Sequence, residues 1–214
     1  MAEGKNPYPA SLSVDYPDRE LNRLTSFFRL ITIIPIAIVL SLVNGSVFRW
    51  GQENGWLVAL SAGGVLFLAT MLMLVFKQKY PRWWFDWNIA LTKFSTRVAA
   101  YLALLRDEYP STEEDQAVHI EIPYPDAKKD LNQWLPLVKW FLAIPHYIVL
   151  FFLGIAAFFV VVMTWFAILF TGRYPRGFFD FVVGFMRWSL RVSAYAALLT
   201  TDEYPPFTLR EQAL

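Results

Sequence analysis

The stretch KYPRWWFDW, Lys79–Trp87, runs on to close as LLRDEYP, Leu104–Pro110, and the chain writes it twice. The second copy opens as RYPRGFFDF, Arg173–Phe181, and closes as LLTTDEYP, Leu198–Pro205. Tyr80-Pro81-Arg82 matches Tyr174-Pro175-Arg176, Asp86 matches Asp180, Lys93 matches Arg187, Arg97 matches Arg191 and Tyr101 matches Tyr195, every pair 94 positions apart. That spacing predicts two tandem units, residues 1–110 and 111–214, and the other segments are read outward from it.

Wound at about 100° per residue, residues 83–105 form a helix with Asp86, Lys93 and Arg97 within roughly 20° of one line. Trp83, Trp87, Leu91, Phe94 and Val98 take the opposite broad face. Residues 177–199 repeat the pattern, with Asp180, Arg187 and Arg191 set against Phe181, Phe185, Trp188 and Val192. At about 1.5 Å per residue either helix is long enough to cross a bilayer. Three ionisable residues at its centre would each cost about 2.5–3.5 kcal/mol. A charged line backed by aromatics favours lying in the interface. The competing reading is a spanning helix that turns its charged line into a bundle or pore.

Composition supports a membrane protein. Of 214 residues 56% are apolar, and 9 Trp and 19 Phe are more than a soluble domain of this length carries. A net charge of +1 gives nucleic-acid binding no electrostatic support. The absence of Cys excludes disulfides, thiolate catalysis and Cys-based metal sites. The first apolar run starts near Phe27, too late for a cleavable signal peptide.

Four apolar runs read as spans: 24–43, 56–76, 135–153 and 155–170. In the first, Arg29 can snorkel near the start and Pro35 should kink the helix. Asn44–Gly55 is a polar loop carrying Arg49. Leu131–Gly154 matches Leu21–Asn44 at a shift of 110, so the second copy lacks 16 residues after the position of Asn44. Its hairpin must then turn sharply near Gly154; a single long helix from Leu135 to Phe170 is the alternative. SLSVD, from Ser11, and VHIEI, from Val118, alternate in polarity and are expected to pair as a small sheet.

With both amphipathic helices on one side, only Arg49 of the 19 Lys and Arg lies on the other, which sets that populated side, with both termini, in the cytoplasm. The expected fold is therefore an all-α membrane protein of two parallel repeats. Each is a transmembrane hairpin followed by a cytoplasmic interfacial helix, with short strands on the cytoplasmic side.

The runs WLPLVKWFLAIPHYIVLFFL (Trp134–Leu153), WFAILFTGRYPRGFFDFVVG (Trp165–Gly184) and RWSLRVSAYAALLTTDEYPPFTL (Arg187–Leu209) carry a resemblance. They resemble a bacterial membrane-protein family known only as a domain of unknown function. The first copy matches more loosely, with Trp83 in place of Gly177. The resemblance implies a bacterial inner-membrane setting and no particular activity.

Few residues are candidates for chemistry. Asp86, Lys93, Arg97, Asp180, Arg187 and Arg191 could line a polar path or meet lipid phosphates; the lipid reading is preferred, at about 1 kcal/mol per basic group near anionic lipid. His146 lies inside an apolar run, either as a functional intramembrane group or as a neutral residue bonded to a carbonyl or at headgroup depth. Its counterpart in the first copy is Ile36, which favours the second reading. Asp107, Glu108, Asp202 and Glu203 end their helices, where acids oppose the dipole and need partners. Arg82 and Arg176 are candidates, as is the backbone of the strands. No nucleophile elbow, phosphate loop, catalytic carboxylate pair or metal-ligand spacing appears. The expectation is a non-enzymatic protein without cofactor, which organises membrane, binds anionic lipid or serves a larger membrane complex or homo-oligomer. The alternative is an oligomeric channel or transporter.

Overall fold

The computed structural model describes residues 8–17, 20–43, 62–112, 114 and 116–211. The loop Asn44–Gly55, with Arg49, and the first residues of the expected span 56–76 lie outside the described residues. In chain order the elements are β1 (Ser11–Val14), α1 (Arg23–Thr32), α2 (Ile34–Val43), α3 (Ala62–Lys77), α4 (Arg82–Leu102), β2 (Val118–Glu121), α5 (Pro136–Leu142), α6 (Ile144–Thr171) and α7 (Arg176–Ala196). The chain is thus mostly helical, with a small two-stranded sheet.

The strands pair as their alternation predicts. β1 and β2 are antiparallel, with Leu12 opposite Ile120 and Val14 opposite Val118. Leu12, Val14, Val118 and Ile120 are buried with Leu105, Val182 and Leu190, while Ser11, Ser13, His119 and Glu121 point the other way. Period-two alternation over four residues suffices for this, because one face has a core to meet.

The expected span 24–43 is two helices meeting at Ile33. Arg23–Arg29 and Ile34–Leu40 are bent by 49°. Pro35 lacks an N–H, so the helical ladder loses a bond there. Pro145 stands in the same relation to the junction of α5 and α6 at Ala143.

The expected turn at Gly154 is absent. α6 runs unbroken for 28 residues, about 42 Å. No polar side chain interrupts residues 148–163, so once the 16-residue insertion is missing no group remains to solvate a turn. Gly154 instead packs within the helix against α7, where a Cβ would meet the Phe185 ring at 3.6 Å, an ordinary van der Waals contact. By length and composition α6 is the one described helix able to cross a membrane, or one of two if the bent α1–α2 pair counts as a span.

α4 and α7 end three residues before the expected 105 and 199. Leu104 and Leu199 adopt left-handed backbone, with φ of 64° and 57°. A left-handed residue ends a helix, and for Leu it costs about 1–2 kcal/mol. Both side chains are fully buried, which offsets that cost.

The repeated Tyr-Pro pairs join the two halves reciprocally. The Tyr16 hydroxyl donates to the carbonyl of Tyr174, and the Tyr124 hydroxyl to that of Tyr80. In turn Tyr80 donates to Leu198 O at 3.1 Å, and Tyr174 to Ala103 O at 3.3 Å. Arg176 stacks on the Tyr16 ring at 4.4 Å and Arg82 on the Tyr124 ring at 4.8 Å.

Candidate functional site

Arg187 and Arg191 are one turn apart on α7, so their side chains leave the same face. β1 and the segment after Tyr204 cover that face. Arg187 donates from Nε to Leu12 O of β1 at 2.9 Å and from Nη1 to Leu209 O at 3.2 Å. Arg191 donates to Thr208 O at 3.5 Å and Arg210 O at 3.3 Å. Leu209 can lie this close because position 184 is Gly: a Cβ there would fall 2.9 Å from Leu209 Cβ and from its carbonyl oxygen. One arginine thereby binds the first strand to residues 208–211.

Both guanidinium groups are buried, Arg191 to 2% exposure. Carbonyl acceptors carry no net charge. Among the described residues the one carboxylate in ion-pair range is Glu211, 3.5 Å from Arg187 and 58% exposed. Arg191 Nε is buried without an acceptor. Burial, with Arg187 beside it, holds the Arg191 guanidinium below its ordinary pKa.

A cavity of about 740 Å³ opens beside this pair. Arg187, Arg191 and Lys93 of α4 line it, with Ser11, Ser13 and Glu121 of the sheet. Lys93 is half-buried and, among the described residues, makes no hydrogen bond or ion pair. Three of the six residues expected along the charged lines therefore converge on one space.

The others do not. Asp86 is exposed and pairs with Arg82 at 3.2 Å, and Asp180 is exposed. Arg97 donates to Ser111 O at 2.8 Å. Along the second charged line Arg187 and Arg191 are covered: the sheet and the 208–211 segment lie on top of them, and their donors serve the chain's own carbonyls.

The helix-end acids also have other partners than expected. Arg82 and Arg176 stack on tyrosines, whereas Asp107 pairs with Arg29 and Asp202 with Lys139. Arg29 does not snorkel. It is 2% exposed, lies 4.4 Å from the Tyr101 ring centre and donates to Tyr101 O at 2.8 Å and Arg106 O at 3.0 Å. Lys139 is 0% exposed, lies 5.2 Å from the Tyr195 ring centre, donates to Thr201 O at 2.7 Å and is 2.6 Å from Asp202. Each Asp also accepts an Asn backbone N–H, from Asn22 and Asn132 respectively. A buried cation thus joins the first bent helix of each half to the end of its amphipathic helix, where carbonyls and dipole favour positive charge. The signal for these locks was a basic residue at the same place in both apolar runs. Glu108 pairs with Arg106 at 2.8 Å, and the exposed Glu203 accepts the Tyr8 hydroxyl through its carbonyl at 3.1 Å.

His146 is fully buried. Its Nδ1 accepts from Trp188 Nε1 at 3.1 Å, and its ring stacks on Phe207 with centres 4.0 Å apart. The expected carbonyl partner is replaced by an indole. No group of three or more His, Asp or Glu able to hold a metal ion occurs among the described residues. A second groove, of about 440 Å³, separates α4 from α7 and is lined by Asn88, Thr92, Ser95, Ser189 and Ser193.

No curated protein and no solved structure matches the chain. One family model does, over the second of the two repeated stretches and the helices before it: residues 136–208 are similar to the family described as Domain of unknown function (DUF4389).

Proposed function

We propose that this chain is a non-enzymatic integral membrane protein that organises lipid or serves as an accessory subunit of a larger membrane complex. The observation that carries the reading is the surface of α6. Only 11% of its most apolar stretch is buried, although that stretch has a mean hydropathy of 2.7. Phe151, Phe152, Phe158, Phe159 and Phe166 all face outward, continued by Val138 and Phe141 on α5 and by Phe27, Ile31 and Ile38 on α1 and α2. An apolar surface of this extent needs an apolar medium. Exposed Trp83, Trp87, Trp134 and Trp140 suit the headgroup level.

The paired locks and the reciprocal Tyr-Pro contacts support a tandem repeat about a pseudo-two-fold axis. The bond network through Arg187, which ties β1 to residues 208–211, supports a reading in which both lie on one side of the bilayer, and the bias of Lys and Arg supports taking that side as the cytoplasm of a bacterial inner membrane. The engagement of Arg187 and Arg191 with internal carbonyls speaks against a pore lined by both charged stripes.

Membrane fractionation followed by reconstitution tests this. The chain is expected to resist alkaline carbonate extraction, and proteoliposomes are expected to show no ion flux above empty vesicles. A chain monodisperse in detergent-free buffer would refute the membrane assignment, and a flux abolished by Arg191→Ala would refute the non-channel role.

A further inference from the structure

We propose that the cavity lined by Lys93, Arg187 and Arg191 binds a phosphate group, carried by a lipid headgroup or a soluble phosphate ester. Charges in a protein interior are stable when a counter-charge or full hydrogen bonding compensates them. Here two buried guanidinium groups lie one turn apart on α7 and repel each other. Among the described residues they have between them one largely exposed carboxylate, Glu211, at 3.5 Å. Lys93 approaches the same space from α4 with no partner among the described residues, and Arg191 Nε is buried without an acceptor.

An anion in the cavity supplies the missing charge. Three cations on two helices call for more than the two oxygens of a carboxylate, and the arginine fork suits phosphate oxygens. The Ser11 and Ser13 hydroxyls on the sheet wall add neutral donors. Glu121 and Glu211 are exposed, so solvent screens them. A volume of about 740 Å³ exceeds that of a bare phosphate and leaves space for the alcohol of an ester. The site does not itself require a bilayer; that the phosphate arrives on a lipid rests on the membrane reading above.

The test uses the purified full chain. Native mass spectrometry in neutral detergent compares retention of phosphatidylglycerol and diacylglycerol, and thermal shift compares glycerol phosphate with glycerol. At least one phosphate compound is expected to be preferred by about tenfold, the scale of one hydrogen bond to a charged group. Lys93→Gln should remove that preference, because it strands no other group. Lys93→Arg should keep it, and Asp86→Asn, outside the cavity, should not alter it. Retained phosphatidylglycerol that millimolar glycerol phosphate cannot displace identifies a lipid source. A thermal shift by glycerol phosphate without lipid retention identifies a soluble ester. Equal behaviour of all four compounds, or a Lys93→Gln variant that matches the parent, overturns the proposal. If the chain proves soluble without detergent yet binds glycerol phosphate through Lys93, the membrane reading falls and the site stands.

Discussion

Neutralising Asp202 should destabilise the chain more than removing both partners of its lock. Lys139 is 0% exposed, and its ammonium has Thr201 O at 2.7 Å and the Asp202 carboxylate at 2.6 Å. Asp202→Asn keeps an acceptor for the Asn132 N–H but leaves the ammonium with neutral partners, the Thr201 carbonyl and the Tyr195 ring, and no counter-charge. Breaking one side of a buried pair costs about 3–5 kcal/mol, whereas replacing both sides by groups of similar volume is often neutral. At about 2–4 °C per kcal/mol for a chain of this size, the single variant should lose roughly 6–20 °C in Tm. Lys139→Met combined with Asp202→Asn should recover most of that loss. Thermal unfolding followed by tryptophan fluorescence in detergent measures all three, together with Lys139→Met, as a double-mutant cycle. A shift below about 2 °C for Asp202→Asn, or a double variant no more stable than the single, would show that the lock carries no stability.

Phe152→Asp with Phe159→Asp on the outer face of α6 should release the chain from membranes, since each charge costs about 2.5–3.5 kcal/mol in lipid; carbonate extraction scores it. Gly184→Val should push the 208–211 segment off α7, cost about 1–3 kcal/mol and make that segment sensitive to limited proteolysis. Leu199→Gly sets two effects against each other. Relief of left-handed backbone returns about 1–2 kcal/mol, but loss of a fully buried Leu costs about 2–5 kcal/mol, so a net fall in Tm is expected. Trp188→Phe should lower stability by about 1–3 kcal/mol by leaving the buried His146 Nδ1 without its donor.

The sequence made some of this arrangement legible through local periodicity. The β1–β2 pair followed from four alternating residues on each side, because alternation already specifies a buried face. The break near Pro35 followed from a missing N–H. Gly154 misled because a missing loop fits either a tight hairpin or a continuous helix, and only the absence of polar groups to solvate a turn decides between them. Arg29 read as a snorkelling residue because its partner, Asp107, is remote in sequence. The charged line of Arg187 and Arg191 was visible, but a helical wheel cannot say what lies over a face. That cover comes from a strand and a segment at opposite ends of the chain.

The bonds of Arg187 to Leu12 O and Leu209 O also order events during synthesis. β1 is translated before its partner strand, which follows about a hundred residues later, and its arginine comes later still. Until then its edge is unsatisfied and open to chaperones or neighbouring nascent chains. A product cut short before Thr208 would leave Arg191 without its carbonyl acceptors and Arg187 with Leu12 O alone, so truncated chains should be recognisable to proteolytic quality control even when every apolar helix has been made.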